Sequence, residues 1–344
     1  MVWTLEKVLR WTSDRFAQKG FSSPRLDAEL LMAEVLGLDR VGLYLDYHRP
    51  LIDEELAAFR GLVKRRLSGE PVAYILGRRE FWSLEFHVDP RVLIPRPDTE
   101  LLVELALQRV ADVAEPRVLD LGTGSGAVAV AIAHERTDAR VFATDTSTDA
   151  LEVAAGNAER NEVSVEFLHG SLFEPVVPLG LLFDLILSNP PYIAESDLSR
   201  VEPDVLAFEP REALLAGPDG LAVIRPLVAG AADLLVPGGV LFVEMDPDQI
   251  ETVAGLFDAD GRWSEVAVRR DLAGRQRCVE ARRTGGHPGD EGLRGQASVG
   301  HDDAREHDEA RERDEARERD EARERDDAQD TGGAEGSNED DRSS

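Results

Sequence analysis

Over the first 70 residues, apolar positions recur at helical spacing; beyond residue 117 they gather into short runs broken by glycine or proline. Leu26, Leu30, Leu31 and Val35 form one stripe that stops at Gly37, and Leu56, Phe59, Leu62 and Val63 form another that opens at Asp53 and closes at Ser68-Gly69. Ser23-Pro24 reads as an N-cap with proline at the first helical position. Residues 3–68 are thus predicted as a bundle of short helices, and they hold no cluster of catalytic residue types. Between 71 and 97 the pattern alternates. Glu80-Phe81-Trp82, residues 84–88 and residues 91–94 read as a hairpin around Asp89-Pro90, and Asp98 as the cap of a helix over 99–113.

Strands and helices then alternate. The runs 117–121, 141–145, 165–169 and 183–188 are short, β-prone and bounded by turn residues. Helices are predicted over 127–134, 221–235 and 247–257, a strand over 240–244, and a closing pair of strands over 266–269 and 276–281 with Gly274 between them. This order predicts an α/β sheet, mostly parallel, with an antiparallel edge hairpin.

Two stretches carry chemistry. Gly122-Thr123-Gly124-Ser125-Gly126 follows the first strand of the sheet, where glycines permit a tight turn and close approach of a ligand to the backbone. Asp145 ends the next strand, at a spacing suited to an acid that accepts hydrogen bonds from ribose hydroxyls. Ala127 follows Gly126 directly, so the helix begins at once and no pyrophosphate needs housing. That favours S-adenosylmethionine over a dinucleotide. The second stretch is Asn189-Pro190-Pro191-Tyr192, at the carboxyl end of the strand 183–188. Asn189 offers a carbonyl acceptor that does not titrate, the prolines stiffen the turn, and Tyr192 adds a ring face. Together they suit a planar –NH2 group, which needs two acceptors for its two hydrogens.

Charge narrows the classes. Net charge is −29, and residues 284–344 hold 21 acids and 9 bases, which leaves −17 for the rest of the chain. An acidic body argues against broad phosphate-backbone binding, which uses clustered Lys and Arg. Cys278 is the only cysteine and reads as a small core residue. The N-terminal stretch 3–18 is amphipathic rather than a signal region, and the apolar run 127–133 is too short to span a bilayer; a soluble, cytoplasmic protein is expected, with no membrane association. His87 has no neighbours at metal-ligand spacing, so no metal site is predicted. From Thr284 the pattern collapses into a six-residue repeat beginning at Asp308, Asp314 and Asp320, whose alanines form no apolar stripe. That tail is expected to be disordered or transiently helical.

Over residues 5–281 the chain resembles the HemK/PrmC-type protein-(glutamine-N5) methyltransferases. The motifs that carry the resemblance are residues 93–100 (Leu-Ile-Pro-Arg-Pro-Asp-Thr-Glu), 120–126, 188–193, Phe208-Glu209-Pro210, 217–221 and 271–275. It implies a class I S-adenosylmethionine-dependent methyltransferase fold, Rossmann-like and preceded by a small helical domain. The implied division is a partner-binding helical domain over 1–75, a hairpin linker over 76–97, a methyltransferase domain over 98–283 and the acidic tail over 284–344. The implied activity is methyl transfer to the glutamine of the Gly-Gly-Gln loop of peptide chain release factors, with no sequence-specific nucleic-acid binding.

Carried over residue by residue, Gly122, Thr123, Gly124, Ser125, Gly126, Asp145, Ser171, Leu172 and Asn189 would bind S-adenosylmethionine. Asn189, Pro190, Pro191 and Tyr192 would bind the substrate amide, with Asn189, Pro190 and Tyr192 catalytic. The sequence departs from the family pattern in two places. Ser171 stands where an Asp is usual, so Ser171 and the Leu172 backbone would meet the adenine; and residues 244–249 lack the usual glycine after the strand. A nucleic-acid adenine methyltransferase poses the same geometric problem to Asn-Pro-Pro-Tyr, but it would bring a basic face and a target-recognition segment. A non-enzymatic nucleotide-fold scaffold would bind without turnover.

Overall fold

The computed structural model describes residues 2–285. The acidic repeat beyond Gly285 lies outside the described residues. Five helices come first: α1 (Leu5–Lys19), α2 (Pro24–Leu36), α3 (Arg40–Leu45), α4 (Asp53–Leu67) and α5 (Val72–Leu76). They enclose their own apolar core, with Leu5, Phe16, Leu31, Met32 and Phe59 almost fully buried. Arg66 of α4 joins this bundle to the rest of the chain. Its guanidinium lies 2.8 Å from Asp27 of α2 and 3.3 Å from Asp204, and stacks 3.6 Å over the Phe21 ring. Ser23 precedes Pro24 as expected, but its side chain makes no capping bond.

The hairpin is present with a different turn. Strands β1 (Arg78–Phe81) and β2 (Leu84–His87) pair with Phe81 opposite Leu84, so Trp82-Ser83 forms the connection, at φ 53° and 58°. Such a two-residue loop needs positive φ at both positions, normally met by Asn or Gly. Here bonds from outside the hairpin hold it: Trp82 donates its backbone N–H to Glu100 at 3.0 Å and its indole N–H to Glu135 at 2.8 Å. Residues 91–94 are not a strand. Asp89 instead folds back on Arg91, accepting from its backbone and guanidinium.

Next come α6 (Glu100–Arg109), β3 (Arg117–Leu121), α7 (Ala127–Glu135), β4 (Arg140–Asp145), α8 (Thr148–Arg160), β5 (Glu166–His169), β6 (Phe183–Ser188), α9 (Pro203–Phe208), α10 (Ile224–Ala231), β7 (Leu235–Glu244), α11 (Ile250–Ala259), β8 (Trp263–Arg270) and β9 (Gln276–Arg283). The seven-stranded sheet runs β5-β4-β3-β6-β7-β9-β8. Pairings from β5 to β7 are parallel; β9 is antiparallel to both β7 and β8. One face is packed by α6 and α7, the other by α10 and α11. The strands β3 and β6 read as mostly apolar runs because both faces are covered, each interrupted by one acid, Asp120 and Asp184.

Two helices are shorter than their sequence pattern. α6 begins at Glu100 after a single 3-10 turn, Pro97–Thr99, and Asp98 does not cap it. The Asp98 carboxylate pairs instead with Arg275 at 3.0 Å and Arg277 at 2.8 Å, on the closing hairpin. α10 covers eight residues of the expected 221–235, since residues 221–223 form a turn and β7 already begins at Leu235.

Candidate active site

The chain builds β3, then β4 and β5 outward, and returns to lay β6 on the other side of β3. The crevice at the carboxyl ends of β3 and β6 is therefore the topological switch point, where open α/β sheets place ligands. The glycine turn leaves β3 there and Asn189 leaves β6. Gly122, Gly124 and Gly126 all have positive φ, at 72°, 56° and 81°. A Cβ on Gly126 would lie 3.0 Å from that of Ala154, so this glycine seats the turn on α8. Gly122 and Gly124 have nothing within 4 Å on their Cβ side, which leaves that side of the backbone open to a ligand.

Asp145, at the end of β4, accepts from the backbone N–H of Gly124 and of Ser147, both at 2.9 Å. Asp120 is buried beneath the turn, where it accepts from the Thr123 hydroxyl at 2.7 Å. Burial, with the neighbouring Asp145 charge, pushes its carboxyl up to about 6 against the pull of that bond. Asn157 of α8 clamps the site from behind. Its –NH2 donates to the Ser125 and His87 carbonyls, and its oxygen accepts from the His87 N–H.

A cavity of about 410 Å³ opens over this turn. Gly122, Thr123, Gly124, Ser125, Asp145, Ser171, Leu172, Asn189, Pro190 and Pro191 line it; Gly126 and Tyr192 do not. A second cavity of about 110 Å³ adjoins, lined by Leu93, Arg96, Tyr192, Val205 and Leu214 among others. Asn189 and Pro190 line both. Open glycines, a carboxylate at a strand end and a slot beside Leu172 fit S-adenosylmethionine in the larger cavity. Leu172 itself adopts φ 46°, with its carbonyl accepting from the Thr144 hydroxyl at 3.3 Å.

Asn189 is oriented by residues that sequence reading did not single out. Its –NH2 donates to the Thr99 hydroxyl oxygen at 3.1 Å, and the Thr99 hydroxyl donates to Glu244 at 3.2 Å. Thr99 and Glu244 are both buried. Burial pushes the Glu244 carboxyl up to about 7. Burial, followed by the Glu244 charge, raises the Tyr192 phenol to about 12, which keeps it neutral. The wall at Arg96 is held by Glu209, a buried acid that accepts from Arg96 at 2.6 Å and from the Ile94 N–H at 3.2 Å. The motif spans 93–100 and 208–210 contained Arg96, Thr99 and Glu209, and Glu244 opens the stretch 244–249, but only the fold brings them together.

Among the described residues no group of His, Cys, Asp or Glu could hold a metal, and no helix is long and apolar enough to cross a membrane. The PrmC N-terminal domain family matches residues 7–77, and the methyltransferase small domain family matches residues 97–206. A release factor glutamine methyltransferase of Geobacter sulfurreducens is 48% identical over 281 residues, covering 82% of this chain and 97% of that protein. The chain belongs to the release factor glutamine methyltransferase family. Relatives of the same name from Rhodopirellula baltica and Burkholderia pseudomallei are 43% and 47% identical, over 80% and 76% of this chain and 95% and 92% of their own lengths. In this member of the family, Asp98, Thr99, Asn189 and Glu244 form one contiguous polar seam with Arg277, from the start of α6 across to β7 and β9.

Proposed function

We propose that this protein methylates the side-chain amide of the glutamine in the Gly-Gly-Gln loop of peptide chain release factors, and so supports translation termination in the cytoplasm. Family membership supports the reaction and the S-adenosylmethionine requirement. The observation that carries the residue roles is that Asn189 and Pro190 line both cavities, with the Asn189 –NH2 already committed to Thr99. The glutamine would enter through the smaller cavity, and the helical domain over 1–75 would grip the release factor. The acidic body speaks against nucleic acid as the substrate.

When bound, S-adenosylmethionine supplies an electrophilic methyl group on a sulfonium. The turn over 122–126, Asp145, Ser171 and Leu172 would hold it. The Asn189 carbonyl oxygen and the Pro190 backbone carbonyl would each accept one hydrogen of the glutamine –NH2, with the Tyr192 ring against its plane. An amide nitrogen is a poor nucleophile because its lone pair is delocalised. Fixing both hydrogens aims that lone pair, and positioning of this kind can lower a barrier by roughly 7–11 kcal/mol in favourable cases. Both acceptors also bond more strongly as the nitrogen turns positive, so they favour the transition state over the ground state. The spare proton then leaves the nitrogen by way of these oxygens and water. Incubation of the full chain with S-adenosylmethionine and a release factor, followed by mass spectrometry of the Gly-Gly-Gln peptide, tests this: one added methyl on glutamine is expected, and an unmodified peptide would overturn it.

A further inference from the structure

We propose that Glu244 and Thr99 are positioning residues that set the polarity of Asn189, so that its carbonyl rather than its –NH2 faces the reacting amide. An asparagine side chain is nearly symmetric in shape but not in chemistry: one end accepts two hydrogen bonds and the other donates two. A reactant that is itself an –NH2 group needs the accepting end. Asn189 leaves β6 on a loop, and its own strand does not choose between the two ends.

The choice is made by a chain of hydrogen bonds. An ionised Glu244 can only accept, so the Thr99 hydroxyl spends its one hydrogen on Glu244 at 3.2 Å. Thr99 then has only lone pairs to offer Asn189, which must answer with its –NH2, at 3.1 Å. Three residues from β7, the start of α6 and the β6 loop are thus wired in one direction. The direction ends at the shared wall of the two cavities.

Glu244 is an unexpected choice for a purely structural partner. It is 3% exposed, and its second oxygen, Oε2, has no hydrogen-bond partner among the described residues. A neutral acceptor would cost less to bury. The groups facing it are Arg277 and Cys278 on β9, Asp98 before α6 and Tyr192 on the loop. Arg277 draws the carboxyl down and Asp98 pushes it up, but burial outweighs both. The Cys278 thiol and the Tyr192 phenol are both raised and stay neutral, so neither competes for the proton near pH 7. Once protonated, Glu244 can donate to Thr99. The Thr99 hydrogen is then free to turn toward Asn189, the carboxamide can flip, and –NH2 meets –NH2.

The inference rests on Asn189 being the acceptor for the substrate amide, and the experiment separates the two. Full-length wild type, T99V, T99S, E244Q and N189A are compared for turnover of a release factor across pH 6–9, a span of about one to two units either side of the Glu244 transition. Affinity for the unmodified release factor is measured alongside, with S-adenosylhomocysteine present so that no turnover occurs, and S-adenosylhomocysteine affinity itself reports intact folding. Wild-type kcat is expected to fall as the pH drops through about 7, a limb that E244Q lacks because it cannot change charge. T99V should lose roughly 100-fold in kcat, as expected for a misaligned reacting group, and weaken release-factor binding far more than S-adenosylhomocysteine binding. T99S should recover most of both. If N189A is inactive but T99V matches wild type, or E244Q keeps the acidic limb, the polarity relay is wrong and the Asn189 role stands. If N189A itself turns over normally, both fail.

Discussion

The side-chain amide of Gln249 donates to the backbone carbonyl of Tyr192 at 2.8 Å, bracing the Asn-Pro-Pro-Tyr loop. Gly220 makes this possible. It sits at φ 73°, and a Cβ there would lie 2.3 Å from both the Tyr192 oxygen and the Gln249 –NH2. Gly220→Ala is therefore expected to cost about 1–3 kcal/mol from overpacking and backbone strain. Urea denaturation gives the first quantity, and kcat, which should fall as the loop shifts, gives the second.

Arg66 is a buried charge held between two acids. Its side chain is 7% exposed and is shared between Asp27 and Asp204. Burial already pushes the Asp27 carboxyl up from its usual value, against the pull of Arg66. Arg66→Ala leaves two acids facing each other and should cost about 3–5 kcal/mol. Denaturant titration checks the loss, and adding Asp27→Asn should recover part of it.

Asp145→Ala should weaken cofactor binding more than it slows chemistry. The substitution removes the proposed acceptor for the ribose hydroxyls and also releases the Gly124 and Ser147 N–H groups that hold the turn. Loss of two or three such bonds corresponds to roughly 10–100-fold in S-adenosylhomocysteine affinity, measurable by calorimetry.

Asp120 gives a stability signature with a definite sign. Its folded value of about 6 lies above the unfolded one, which is about 4 for an aspartate. The folded state holds the proton more tightly, so this group's contribution is fully present below pH 4 and is lost as pH rises through 6. Wild type should lose up to about 3 kcal/mol relative to Asp120→Asn between pH 4 and pH 8. Paired denaturation curves of the ligand-free proteins at the two pH values give the answer.

The central strands were legible in the sequence because burial on both faces leaves short, mostly apolar runs. β3 and β6 begin and end where the run and its bounding residues place them. The hairpin turn was not, because Trp82-Ser83 carries no turn chemistry of its own and is held by Glu100 and Glu135. Asp98 shows the same limit from the other direction. A local cap was its reasonable reading, but arginines 177 and 179 residues further on outcompete the adjacent N–H groups. The cavity-lining motifs were visible as spacing and side-chain type. The Glu244–Thr99–Asn189 chain was not, since its first two members stand 145 residues apart and meet only when α6 packs against β6 and β7.

The most direct measurement is methyl transfer by Asn189→Ala to the glutamine of a release factor, with S-adenosylhomocysteine affinity followed on the same preparation. Loss of roughly 100-fold or more in kcat, with S-adenosylhomocysteine affinity falling far less, is the expected result. Turnover close to wild type, with the cofactor still bound, would contradict the view that a fixed, uncharged acceptor aims the amide at the methyl group.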